Sequence, residues 1–168
     1  MRNILENSRE EYIALEKEVE TLTLYLEVQQ LRFETGFDYK IFIDEAIDAE
    51  NISVPPMLAQ PCVENLIEHG LLPAKEKGSI SIMYKLQDGL MILEVTDNGV
   101  GREKAVLLQE RKVKKTSLST HLNDKRLEHF RKTLKEKRIS YEISDLKEGD
   151  KATGTKVKMI LPCKKIYA

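Results

Sequence analysis

The chain has 168 residues, 41% hydrophobic and 33% charged, which is enough for one domain with its own core. A mean hydropathy of -0.40, and no apolar run near the ~20 residues of a spanning helix, exclude a chain buried in a membrane. A net charge of -1 excludes a general nucleic-acid binder, and Cys62 and Cys163, with no CxxC pair and no histidine spacing, suit reduced thiols in a cytosolic protein rather than a disulfide scaffold.

The N-terminus, Met1 to Glu20, is polar and charged, so no signal peptide is expected. Ser8 to Phe33 reads as one long helix without Gly or Pro, in which Tyr12, Leu15, Val19, Leu22 and Leu26 recur at spacings of three and four. Leu24, Val28 and Leu31 add a second apolar edge, which either widens the core-facing stripe or meets a partner chain or further helices. Gly36, after Glu34-Thr35, is a left-handed helix cap. Phe37 to Asp48 reads as a strand, with Tyr39, Ile41 and Ile43 alternating with polar neighbours. Pro55-Pro56 interrupts the chain, and Pro56 is expected to open a helix through Leu58, Val63, Leu66 and Ile67 to Gly70. Ser79 to Lys85 and Leu90 to Thr96 form two strands joined by a turn at Asp88-Gly89. Gly99 to about Ser119 is irregular. Asn123 caps an amphipathic helix to Lys137 that buries Leu127, Phe130 and Leu134. Ser140 to Ser144 and Lys156 to Leu161 are the last strands, and Pro162 ends the sheet. This order predicts an α/β protein, a two-layer sandwich whose mixed sheet is covered by helices on one face and preceded by a long N-terminal helix. It is not the regular alternation of a parallel, doubly wound sheet.

Three constellations carry chemistry. Asp97-Asn98-Gly99-Val100-Gly101 follows the apolar strand of Met91, Ile92, Leu93 and Val95. An acid at a strand end can accept from the exocyclic amine of adenine, and Gly99 and Gly101 bring bare backbone close to a ligand. The competing reading is a tight acidic turn or a calcium loop, although the remainder of an EF-hand pattern is missing. In Gln60-Pro61-Cys62-Val63-Glu64-Asn65-Leu66-Ile67-Glu68-His69-Gly70, Asn65 offers a neutral carbonyl oxygen to Mg²⁺, or else is a buried amide that satisfies nearby backbone. His69 is read as a helix-end histidine stabilised by the dipole. Gly154-Thr155, before the final strand, allows close approach and places a hydroxyl near a base. The segment Arg102 to Lys115 carries Arg102, Lys104, Arg111, Lys112, Lys114 and Lys115 against Glu103 and Glu110. It suits a compact anion such as a nucleotide phosphate, or is simply a solvated face.

Together these resemble the nucleotide-binding boxes of the GHKL ATPase superfamily. The stretches Tyr25-Leu26-Glu27-Val28-Gln29, Arg32-Phe33, Pro55 to Gly70, Asp97 to Gly101, Arg126-Leu127 and Gly154-Thr155-Lys156-Val157 resemble the LytS-type sensor histidine kinases over nearly the whole chain. The resemblance implies a Bergerat-type ATP-binding fold. Asn65 would be the Mg²⁺ residue, Glu64 and Asn65 the catalytic pair, and Asp97 the adenine reader. Gly99 and Gly101 would shape a lid hinge, with Gly154 and Thr155 near the base and Lys104 near the phosphates. It divides the chain into 1–35, the C-terminal helix of a dimerisation region and linker, and 36–168, the catalytic domain. ATP, an upstream phosphoacceptor domain, a response regulator and a second copy are the implied partners, and the implied setting is the cytoplasmic part of a membrane-anchored sensor. Two departures stand out. Thr116 to Thr120 lacks the glycine with which the family's lid usually closes, and Glu68 stands where many relatives have a basic residue. The histidines, His69, His121 and His129, are not in the family's phosphoacceptor setting, so this chain is expected to bind ATP·Mg²⁺ without phosphorylating itself. The rival readings are an anti-sigma-like serine kinase or binding module, and a degenerate, non-catalytic interaction domain.

Overall fold

A computed structural model describes residues 11–33, 36–74, 77–101, 125, 128, 131–132, 135, 137–149 and 151–166. The elements are β1 (Ile13–Ala14), α1 (Leu15–Arg32), β2 (Phe37–Ile43), β3 (Ile52–Val54), α2 (Ala59–Leu66), β4 (Gly78–Gln87), β5 (Leu90–Asp97), β6 (Ser140–Glu148), β7 (Lys151–Pro162) and β8 (Lys164–Lys165). After α2 the chain continues as one π-helical turn, Ile67–Leu71.

The main sheet has the order β2-β4-β5-β7-β6. Its β2–β4 pair is parallel and the others are antiparallel, so the sheet is mixed as expected. The register lines up Tyr84, Leu93 and Met159 in one row, and Ile82, Val95 and Val157 in the next. These rows are buried in a single core with Leu15, Leu22 and Leu26 of α1 and Cys62, Val63 and Leu66 of α2. Each such side chain contributes about 1.5–3 kcal/mol on leaving water. The alternate residues Lys85, Glu94 and Lys156 lie on the opposite face, where Glu94 receives Lys85 at 3.3 Å and Lys156 at 2.8 Å. Lys156, then Lys85, holds the Glu94 carboxyl below its usual range against the effect of burial. Helices on one face and a charged opposite face make the two-layer sandwich.

Asp88 (φ 50°) and Gly89 (φ 75°) form the β4–β5 turn where expected, and Gly36 (φ 65°) caps α1 with its N–H on the Phe33 carbonyl at 3.1 Å. Several boundaries differ. Among the described residues the first helix begins at Leu15, because Ile13 and Ala14 pair with Val54 and Ser53 of β3, and Tyr12 precedes it. The strand from Phe37 stops at Ile43; Asp44 then turns the chain, its carboxylate accepting the Ala46 N–H at 2.9 Å. Pro56 does not open α2. Met57 takes a left-handed φ of 57°, which breaks the helix until Ala59. The last two strands run longer than expected, to Glu148 and from Lys151. A second small sheet, β1-β3-β8, closes one end.

Of the helix expected from Asn123 to Lys137, Lys125, Glu128, Arg131 and Lys132 are helical, with a Glu128–Lys132 pair at 2.8 Å. Asn123, Arg126, Leu127, Phe130 and Leu134 lie outside the described residues, as do Glu34-Thr35 and the whole segment from Arg102 to Asp124. The second apolar edge of α1 is open to solvent: Leu24 is 62% exposed, Val28 55% and Leu31 89%.

Candidate functional site

The helix-facing row of β5 is Met91, Leu93, Val95 and then Asp97. Strand alternation therefore puts a carboxylate where the next core side chain would stand, and Asp97 is 4% exposed. Its Oδ1 accepts the Gly99 N–H at 2.6 Å. Its Oδ2 is buried, and among the described residues no donor meets it at ordinary hydrogen-bond geometry, although the N–H and hydroxyl of Thr155 stand close to the carboxylate. Burial pushes the Asp97 carboxyl up to about 6 from 3.8, against the N–H of Gly99 and the N–H and hydroxyl of Thr155, and Asp145 adds to the rise. A buried, half-satisfied acceptor of this kind is costly unless a donor reaches it.

Glycines let backbone crowd this carboxylate. A Cβ at Gly70, at the end of the helix through Asn65, would lie 2.8 Å from Asp97 Oδ1 and 3.0 Å from its Cγ. At Gly154 a Cβ would lie 1.9 Å from the Asp97 carbonyl oxygen, at a φ of 149° that side chains rarely adopt. Gly99 packs against the Gly70 carbonyl, and Gly101 against Ala152. The loop is tied on both sides. The Val100 N–H donates to the Gly70 carbonyl at 3.1 Å, and the Asn98 side-chain oxygen accepts the Ser79 N–H at 2.7 Å.

The second half of the site is α2. Asn65 is 7% exposed on the side of Cys62, Val63 and Leu66. It lies five residues before Gly70, a helical rise of roughly 7 Å. Glu64 is half-buried, His69 is half-buried and Glu68 is exposed. Tyr25 of α1 borders this ridge: its phenol is pushed up to about 12, first by burial and then by the Glu64 and Glu68 carboxylates, against Arg32.

The structure thus brings Asp97, Gly99, Gly101, Gly154 and Thr155 together and joins them to the Asn65 helix through Gly70. Lys104 lies outside the described residues. No cluster of three His, Cys, Asp or Glu side chains able to hold a metal occurs among the described residues. A calcium loop at Asp97 has no support there, since the carboxylate turns inward to the core. Sequence reasoning assigned no part to Gly70 beyond the helix end, or to Asn98. Glycine at a helix end looks like an ordinary cap, and an exposed Asn in a turn looks like turn chemistry.

No protein-family model matches the chain. It is 36% identical over 107 residues to the sensor protein LytS of Oceanobacillus iheyensis, covering 64% of this chain and 18% of that protein. It is 32% identical over 107 residues to the sensor histidine kinase YpdA of Escherichia coli, with the same shares. The chain therefore spans less than a fifth of the length of these relatives. Among solved structures, a mycobacterial sensor histidine kinase, MprB, superposes with a TM-score of 0.61 at 12% identity, covering 92% of this chain and 98% of that one. The catalytic domain of histidine kinase ThkA superposes with a TM-score of 0.59 at 12% identity, covering 90% and 94%. At such identities the likeness is one of fold.

Proposed function

Because the chain is homologous to LytS-type sensor histidine kinases over 64% of its length, we propose that it is the ATP·Mg²⁺-binding catalytic domain of a two-component sensor kinase. The observation that carries this reading is the Asp97 carboxylate, whose buried Oδ2 no donor among the described residues meets at ordinary hydrogen-bond geometry, beside bare glycine backbone. The exocyclic amine of adenine is such a donor. Binding it supplies the missing hydrogen bond, and a keto group at that position would meet the carboxylate oxygen to oxygen. Thr155, itself buried, stands beside the same carboxylate.

The metal fits the donor set only in one way. Asn65 offers a single neutral oxygen, so a cation held there would keep most of its waters and arrive on the triphosphate. When bound, Mg²⁺ would supply charge neutralisation to the triphosphate. Asn65 would orient the metal-bound triphosphate, and half-buried Glu64 is assigned to take the imidazole proton as the P–N bond forms and the Pγ–O bond breaks to release ADP. Lys104 and its basic neighbours are assigned to the phosphates by charge alone.

The phosphoacceptor histidine, the response regulator and a second copy belong to the wider protein. We assign residues 1–35 to the tail of a dimerisation region, a reading supported by the open Leu24, Val28 and Leu31 stripe. A cytoplasmic setting under a membrane anchor follows the same assignment; no described helix is long and apolar enough to cross a membrane. Calorimetric titration with a non-hydrolysable ATP analogue and Mg²⁺ tests the reading. Binding that is lost in Asp97→Ala, and that loses its Mg²⁺ dependence in Asn65→Ala, is expected. No binding at millimolar nucleotide overturns it in favour of a degenerate interaction domain.

A further inference from the structure

Glu18 sits on the buried face of α1, between Leu15 and Leu22, and is 4% exposed. A carboxylate there replaces a core side chain and is costly unless it is bonded. Its Oε2 accepts the main-chain N–H of Met57 at 2.8 Å. Met57 is the residue with a φ of 57°, a left-handed conformation that is strained for a non-glycine residue. It follows Pro55-Pro56 and precedes Leu58, the N-cap of α2, which makes no side-chain capping bond. The start of the helix that carries Glu64 and Asn65 is therefore set by a strained turn whose amide is held by a buried acid on α1. Tyr84 of β4 closes the same spot from the sheet, fully buried near Glu18.

We infer that Glu18 is a positioning residue: by holding the Met57 turn it fixes the placement of α2, and so couples α1 to the Asn65 end of the nucleotide site while leaving the Asp97 end untouched. A shift of α1 would reach Asn65 through this hydrogen bond. The inference rests on the role proposed for Asn65.

The test is calorimetric titration of a non-hydrolysable ATP analogue, with and without Mg²⁺, on the wild-type chain, Glu18→Leu and Glu18→Gln, alongside their unfolding curves. Glu18→Leu keeps the apolar stripe and removes the acceptor. It is expected to stay folded and to lose about tenfold in the Mg²⁺-dependent part of affinity, with metal-free affinity unchanged. Glu18→Gln, which still accepts from Met57, should stay within about twofold of wild type. Adding Met57→Gly to Glu18→Leu should recover part of the loss, because glycine takes a positive φ without strain. A folded Glu18→Leu with wild-type Mg²⁺ dependence overturns the inference, as does an equal loss in Glu18→Gln. If Glu18→Leu does not fold, Glu18→Asp draws the acceptor back by one methylene; the same selective loss is expected of it, and wild-type behaviour overturns the inference. A wild-type chain that binds no nucleotide overturns the Asn65 role and this inference with it, whereas wild-type binding with unaffected variants overturns the inference alone.

Discussion

Replacing Asp97 by Asn separates stability from binding, and the two should move in opposite directions. The carboxyl of Asp97 is pushed up to about 6 in the folded chain, from 3.8, chiefly by burial. The folded state therefore holds a proton over a pH range in which the unfolded chain has released it. Stability from this group is fully present below 3.8 and is lost as pH rises through about 6. The loss amounts to about 3 kcal/mol at pH 7.5. Asn stays neutral throughout and keeps an oxygen for the Gly99 N–H. Its amide nitrogen replaces Oδ2 and costs about 1 kcal/mol at every pH. In urea unfolding at a series of pH values, Asp97→Asn should thus exceed wild type by about 1–2 kcal/mol at pH 7.5, and its advantage should shrink by about 2 kcal/mol on going to pH 4.5. Taking the difference between the two proteins cancels the titration of Glu94, Glu128 and Asp48, whose carboxyls their partners hold below the usual range. Nucleotide affinity should fall by at least about 50-fold in the same variant, since an N–H₂ now faces the adenine amine. A stability difference that does not change with pH would refute the buried, raised carboxyl. Retained affinity would refute its role.

Other consequences follow from the same contacts. Gly70→Ala places a methyl 2.8 Å from Asp97 Oδ1; it should cost about 1–3 kcal/mol in thermal or urea unfolding and about tenfold or more in nucleotide affinity, the carboxylate having to move. Asn98→Ala removes the 2.7 Å bond from the Ser79 N–H and should cost about 1 kcal/mol, with faster amide exchange at Ser79 as the direct readout. In the wild type, nucleotide affinity should weaken as pH drops below about 6, by up to tenfold per unit, because a proton must leave Asp97 before the amine can bind; a flat profile between pH 5 and 7.5 would contradict this. Leu31→Lys at the open end of α1, where the side chain is 89% exposed, should leave the unfolding midpoint of this chain unchanged within about 0.5 kcal/mol.

The sheet was legible where alternation runs for several residues and a turn has its own chemistry, as in the β4–β5 hairpin at Asp88-Gly89. β1, β3 and β8 were not, because two or three residues carry no period, and their pairing depends on segments as far apart as Ile52 and Lys165. On α1 the pattern of apolar residues includes Val19, which packs half-buried against the core, but passes over Glu18 beside it, which the structure buries more deeply. A charge on a core face is invisible to a hydrophobic stripe. Met57 gave no sign of its left-handed φ, since bulky residues at such positions are held by tertiary contacts, here the Glu18 carboxylate. The polar ends of the site were easier. Asp97 ends an apolar strand and is followed by paired glycines, and Asn65 sits beside buried aliphatics on a short helix. Gly70 looked like a cap because the carboxylate it makes room for comes from a strand 27 positions later.

The most direct test compares two nucleotides that differ along one base edge, at the 6-substituent where Asp97 is proposed to act and at the adjoining N1, which gains a proton in the oxo form. The wild-type chain, with Mg²⁺ at pH 7.5, is titrated with a non-hydrolysable adenine nucleotide and with its hypoxanthine counterpart, in which a carbonyl replaces the amine. The account predicts that the adenine form binds and that the hypoxanthine form binds at least about 100-fold more weakly, a preference that Asp97→Asn abolishes. Equal affinity for the two bases would contradict it.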